Sequence, residues 1–275
     1  MVVNNARMGN LREATEGAKP PRSAAIHPGP GFRIRTDFPR LDAGIVKAFE
    51  QYATPEISDL LNRLYALDSE IVCLSGGGRP TVGLATTVRT FPGDNLMVHK
   101  SLDVAHAGDV VVVAASAGRN NAVIGDTVAM KAMHRGIAGF VVDGLMRDLP
   151  AVRELDYPMF ARGTTPVGPL HRGPGEINFP VACGGVVVNP GDIVVGDDAG
   201  VVIVPQQVAE ELLERLVRHT KGVTSYLAEV RKGNFSNAWV DDYLAEHDCP
   251  ITGAEPDPIA DLPLEAGIDH PTTAG

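Results

Sequence analysis

The chain has 275 residues, 44% hydrophobic and 21% charged, enough for one sizeable core and too few for more than two domains. Its net charge of -10 makes nucleic acid a poor partner on bulk electrostatics, leaving aside any local basic patch. No apolar run reaches the ~20 residues needed to cross a bilayer, so a membrane is not expected as a partner either.

Met1 to Gly31 is polar and broken by Pro20-Pro21, Pro28 and Pro30, so residues 1–31 are expected to form an extended or disordered arm. No apolar leader segment is visible there. The cysteines, Cys73, Cys183 and Cys249, form no C-x-x-C pair, which fits a reduced, cytoplasmic protein. Leu41 to Leu67 is helical in pattern. Ile45, Phe49 and Tyr52 share one face, and Thr54-Pro55 opens a second helix with Thr54 as its cap. Ile57, Leu60, Leu61 and Leu64 are expected to form the buried stripe of that helix. The glycine cluster Ser75–Arg79 lacks a following Lys-Ser/Thr pair and a helix pattern, so it reads as a loop and not a phosphate cradle.

Val82 to Phe91 alternates as a strand, Pro92-Gly93-Asp94-Asn95 is a turn, and Leu96 to Ala107 is helical. His99 and Asp103 lie one helical turn apart there, the spacing of a surface ion pair as well as of two ligands. Val110 to Ala115 is an apolar strand, which implies burial on both faces. Ser116 to Ile124 then reads as a loop.

The chain is organised around Gly125 to Asp148. Val128, Ala129, Ala132 and Met133 fall on one helix face, Asp126 is placed to cap the helix start, and Gly136 suits the left-handed residue just past its end. Ile137 to Val142 follows as a buried strand, and Asp143 to Asp148 as the loop that ends it. A helix start at Gly125 thus faces Arg147 beside Asp148. That set can hold an anionic ligand and a hard cation together. The plainer alternative is that Asp148 caps a short helix over residues 149–155, with Arg147 a surface charge.

Met159 to Arg162 is the next short strand, and Thr164 to Gly175 a Gly- and Pro-rich loop whose His171 and Arg172 suit an acidic substrate. Val181–Asn189, Ile193–Gly196 and Val201–Pro205 are strands between Gly-Asp turns. Gln206 to Lys232 is a long helix striped by Val208, Leu212 and Leu216, with Gly222 a candidate break. The single tryptophan, Trp239, follows; such a residue more often packs an interface or core than binds a ligand. Residues 32–245 are therefore read as one domain and 246–275 as a C-terminal tail.

Gly125-Asp126, Gly136-Ile137-Ala138-Gly139 and Asp143-Gly144-x-x-Arg147-Asp148 resemble the regulator-of-ribonuclease-activity-A-like family. Gly184–Asp192 and Gly196–Val201 match it too, so the likeness runs from about Thr54 to Pro205. The family includes divalent-metal 4-hydroxy-4-methyl-2-oxoglutarate aldolases that also decarboxylate oxaloacetate. The resemblance implies an α/β fold, a three-layer β/β/α swivelling-domain-like architecture with N- and C-terminal helical extensions here. It further implies a homotrimer, or a homohexamer built from trimers, acting on a small 2-oxo acid with Mg2+ or Mn2+.

Carried over by position, Gly125, Asp126, Thr127, Val128 and Arg147 bind substrate, Asp148 holds the metal, and Asp126 reaches water on that metal; Arg147 and Asp126 are the catalytic candidates. Characterised metal aldolases of the family also use an acid from a neighbouring chain. Here the corresponding stretch reads His219-Thr220-Lys221-Gly222-Val223, without one. A Schiff-base aldolase through Lys100 or Lys131, and a non-enzymatic ribonuclease-binding regulator, are the alternatives.

Overall fold

The computed structural model describes residues 25–76 and 80–251. The expectations for residues 1–24, for Gly77–Arg79 in the glycine cluster and for the tail from residue 252 lie outside the described residues. Two compact units are distinguished, Met1–Thr220 and Lys221–Gly275.

The first unit is built on β4 (Val110–Ala114), which pairs in parallel with β3 (Thr81–Thr90) on one side and β6 (Gly139–Met146) on the other. The sheet extends from β6 to β7 (Met159–Thr164) and β2 (Val72–Cys73), and from β3 to β8 (Gly175–Ile177) and β1 (Phe32–Ile34). All five residues of β4 are buried because the sheet is covered on both faces. Val111 and Val113 pack with Met97 and Val98 of α3 (Leu96–Ser101), Val128, Ala129 and Ala132 of α4 (Asp126–His134), and Val152 of α5 (Leu149–Glu154). Val110, Val112 and Ala114 point the other way, as the two-residue period of a strand requires. They join a second core with Val181 and Cys183 of β9 (Val181–Cys183), Val186 and Val188 of β10 (Val186–Val188), and Val194, Val201 and Ile203 of the β11–β12 hairpin (Ile193–Asp197, Gly200–Val204).

Strand β3 belongs to both layers. Its first half pairs antiparallel with β11 and its second half parallel with β4. The outward residues Ile193, Val195, Val202 and Val204 are covered in turn by Phe49, Tyr52 and Ile57 from the N-terminal region, and by Ala209, Leu212 and Leu216 of α6 (Ala209–Arg231). The layers are thus helix, sheet and sheet, as expected, with the helical extensions on the far face.

Several boundaries differ from the sequence pattern. Leu41–Leu67 splits into α1 (Ala43–Ala48), a short 3-10 turn and α2 (Thr54–Leu60). Ala53, not Thr54, occupies the cap position of α2, and the Thr54 hydroxyl instead donates to Asp197 at 2.7 Å. Asn62 and Arg63 take positive φ and stop the helix, which leaves Leu64 73% exposed instead of in the stripe. The helix from Leu96 stops at Ser101. The stretch expected as a loop before Gly125 contains β5 (Ala122–Ile124), and β6 runs on to Met146 instead of ending at Val142. Gly222 does not interrupt α6.

In the second unit α6 runs on to Arg231 and is followed by α7 (Ala238–Glu246), whose Trp239 is exposed and not in a core. None of the described helices is long and apolar enough to cross a membrane.

Candidate active site

The register of two parallel strands creates the site. Ile124 of β5 is the partner of Met146 of β6, so the chain leaves both strands side by side at their carboxyl ends. Ligands bind at that end of open α/β sheets. The next residues are Gly125 and Arg147, and the Arg147 amide donates to the Ile124 carbonyl at 3.0 Å. On the other side Met146 pairs with Thr164, and the Thr165 amide donates to the Met146 carbonyl. The peptide group joining Met146 to Arg147 is therefore held from both sides.

Gly125 is the cap residue of α4, and Asp126, expected as the cap, is the first residue inside the helix. The extended backbone at Gly125 turns straight into the helix, which moves the cap position back by one. The Asp126 carboxylate accepts from the Thr127 amide and, at 3.1 Å, from the Thr127 hydroxyl. The amides of Asp126 and Val128 have no acceptor among the described residues. These are the orphan donors of a helix start, where a carboxylate is favoured. Gly136 ends the helix at φ +73°, as its sequence position predicts.

Asp148 occupies the cap position of α5, but in a left-handed conformation (φ 59°, ψ 34°) from which its side chain caps nothing. Its Oδ2 accepts from Arg147 Nε at 3.1 Å. The two side chains are 43% and 36% exposed. The plain capping role is thus excluded by geometry, and the carboxylate faces a cleft of about 210 Å3. A Cβ at Gly125 would collide with Asp148 Oδ2, and one at Gly168 would lie 2.7 Å from Arg147 Nη1. Glycine at both positions leaves the ends of these two side chains room where they stand.

The same cleft is also lined by Asn95, His99 and His171. Asn95 Nδ2 donates to the Val123 carbonyl at 3.1 Å, which turns its Oδ1 toward His171 Nδ1 at 2.6 Å. The His99 and His171 rings are 5.7 Å apart. Burial pushes the His99 imidazolium below its ordinary pKa, and the charges of Lys131 and His171 add to the effect.

Gly125, Asp126, Thr127, Val128, Arg147 and Asp148 all line this one cleft. So does His171, whereas the side chain of Arg172 does not; its amide donates to Asp94 instead. Asp103 pairs with Lys100 and Arg135, not with His99. Neither Lys100 nor Lys131 lines the cleft. Sequence reasoning missed Asn95 and Gly168, which no local pattern marks: each matters through a contact dozens of residues away.

Among the described residues no three His, Cys, Asp or Glu side chains converge as a metal cage. One uncommitted carboxylate beside open space instead fits a cation that keeps most of its water, as Mg2+ does. Asp148 comes nearest to that description, since among the described residues its side chain accepts from Arg147 alone.

The profile of the RraA-like family, described as Aldolase/RraA, matches residues 54–203. A Halalkalibacterium halodurans protein provisionally named a 4-hydroxy-4-methyl-2-oxoglutarate aldolase is 42% identical over 170 residues, 62% of this chain and 80% of that protein. Among solved structures, Streptomyces coelicolor RraAS2, titled an unusual member of the RNase ES inhibitor RraA protein family, is 30% identical with a TM-score of 0.63. The match covers 69% of this chain and 98% of that one. An uncharacterised Pseudomonas syringae pv. tomato protein is 27% identical, also at TM-score 0.63, over 72% and 97% of the two chains.

Proposed function

We propose, from the premise that this chain belongs to the RraA-like (Aldolase/RraA) family, that it is a divalent-cation-dependent carbon–carbon lyase acting on a small 2-oxo acid. The substrates named are 4-hydroxy-4-methyl-2-oxoglutarate, cleaved to two pyruvates, and oxaloacetate, decarboxylated to one. The observation that carries the reading is Asp148: a carboxylate at a helix cap position that does not cap, set beside Arg147 and in the same cleft as the first turn of α4.

Asp148 would hold the cation, and a Mg2+ or Mn2+ ion there supplies positive charge beside the keto oxygen, where electron density collects as the bond breaks. The amides of Asp126 and Val128 orient the substrate's carboxylate. Arg147, positioned by its own backbone bond to Ile124, adds a fixed cation on the same side, needing no reorganisation as charge develops. Gly125 and Gly168 keep the space around that guanidinium open. The same reading carries a trimeric or hexameric assembly, which light scattering of the purified protein would measure.

A coupled pyruvate assay tests the proposal with both substrates. Turnover is expected with Mg2+ or Mn2+, with loss on chelation, and Asp148→Ala should lower it on the order of 10³-fold. Turnover that survives both treatments overturns the cation's role. Borohydride trapping with substrate would point to a lysine instead. The similarity to an RNase ES inhibitor family member favours a second reading, a ribonuclease-binding regulator. Capture of a ribonuclease that Asp148→Ala leaves unchanged, with no pyruvate from either substrate, would establish that one.

A further inference from the structure

Resting on the lyase reading, we propose that His171, held by Asn95, is the proton-handling residue of this cleft, taking the 4-hydroxyl proton of the substrate and returning it to C3.

The argument starts from the amide. Asn95 Nδ2 is committed to the Val123 carbonyl, so only Oδ1 faces the histidine. An oxygen can only accept, so His171 Nδ1 carries the proton. Neutral His171 is thereby held in the tautomer whose Nε2 is a bare acceptor. No other hydrogen bond engages that ring among the described residues.

The remaining ionisable groups of the cleft are less suited. Arg147 stays protonated throughout. Asp148 is paired with Arg147, and Asp126 is bonded to the Thr127 amide and hydroxyl. His99 has no hydrogen-bond partner among the described residues to orient its ring, and it sits where burial disfavours its charged form. Asp94, next to Asn95, is tied to the amides of Leu96 and Arg172. The stretch His219–Val223 carries no acid. An imidazole can both take and return a proton, and His171 is the ring here that is fixed by a hydrogen bond and keeps a free nitrogen.

The step balances. Nε2 takes the 4-hydroxyl proton, and the O–H electron pair becomes the second C–O bond of the departing 2-oxo acid. The C3–C4 bond breaks, and its pair moves onto C3 and the adjoining keto group. The imidazolium then gives its proton to C3, completing the methyl group of pyruvate. One proton is taken and one returned, with no oxidant or reductant. Oxaloacetate has no hydroxyl proton to lose, so carbon dioxide departs without this first transfer.

That difference supplies the test. In the full-length chain with Mg2+, His171→Gln should lower kcat for 4-hydroxy-4-methyl-2-oxoglutarate by at least about 100-fold relative to the unmodified protein. Decarboxylation of oxaloacetate should fall by no more than about tenfold, and the acid limb of the aldol pH profile should disappear. Separately, long-range 1H–15N spectra of the cation-free protein should show His171 protonated at Nδ1, and Asn95→Ala should abolish that preference. Equal losses with both substrates, an aldol rate within tenfold of the unmodified protein, or an Nε2-protonated ring overturns the proposal while the lyase reading stands. No turnover of either substrate by the unmodified protein overturns both.

Discussion

Strand β6 presents two aspartate–arginine pairs, one within the strand and one just past its end. Asp143 is 11% exposed and meets Arg162, itself 10% exposed, at 2.6 Å. Its second oxygen accepts from the Gly184 amide, and the guanidinium also reaches Asp68 and Glu70. Burial works against the Arg162 charge, but the bonds to Asp143 and Asp68 outweigh it and raise its pKa. Asp148 offers the same chemistry with a different completion: one donor, a half-exposed pair and an adjoining cleft. The buried pair has used its bonding capacity on the protein itself. The cleft pair has capacity left for something else, and that separates a structural ion pair from a site more clearly than residue identity does.

The largest effects should fall on opposite observables for the two pairs. Asp148→Ala is expected to remove turnover on the order of 10³-fold while costing no more than about 1–2 kcal/mol of stability, since an exposed ion pair contributes little and the left-handed backbone of residue 148 suits alanine less well than aspartate. Asp143→Ala should do the reverse. It leaves the Gly184 amide and one face of a nearly buried guanidinium unpaired, and breaking such a pair costs about 3–5 kcal/mol. Asp68 and Glu70 remain, so the lower end is expected. Urea unfolding with pyruvate assays on both variants checks this, and equal stability losses would erase the distinction.

The next effect sharpens the comparison, because it alters the cleft pair without changing either member. Gly168→Ala places a methyl 2.7 Å from Arg147 Nη1 unless the guanidinium moves. A displacement of about 1 Å at a reacting centre costs roughly 100-fold in rate, so kcat/KM should fall by about that factor with the melting temperature little altered. Activity within threefold of the parent would mean that the position of Arg147 is not critical.

These two pairs also mark what the sequence could disclose. The α4 helix, its Gly136 terminator and the buried strand β4 were legible because each is a local pattern of period, cap and run. So was the placing of Gly125 near Arg147, since both follow strand ends. Asp143-Gly144 read as a turn because both residues are common in turns, yet β6 runs straight through them. Its partner, Arg162, becomes a neighbour only when β7 pairs alongside. Strand β5 was invisible for a related reason: three residues carry no period, and their pairing with β6 supplies the structure. The Asn95–His171 contact likewise joins a turn before α3 to a loop after β7. Local physics specified the elements, and register specified the chemistry that their ends share.

The smallest expected effect concerns His99, which lines the same cleft as the Arg147–Asp148 pair. His99 has its pKa lowered from 6.5, chiefly by burial and then by Lys131 and His171. At a pH above 6.5 both the folded and unfolded chains hold this ring neutral, and its contribution to stability is complete. As pH falls below that value the unfolded chain takes up the proton first, so stability is lost down to the lower folded pKa. His99→Gln keeps an uncharged polar side chain and removes the titration. Its urea midpoint should therefore fall less steeply than that of the parent between about pH 7 and pH 5. An identical slope would mean that the folded chain protonates His99 as readily as the unfolded one. The imidazole would then bear its charge beside His171, and burial would not be what governs its protonation.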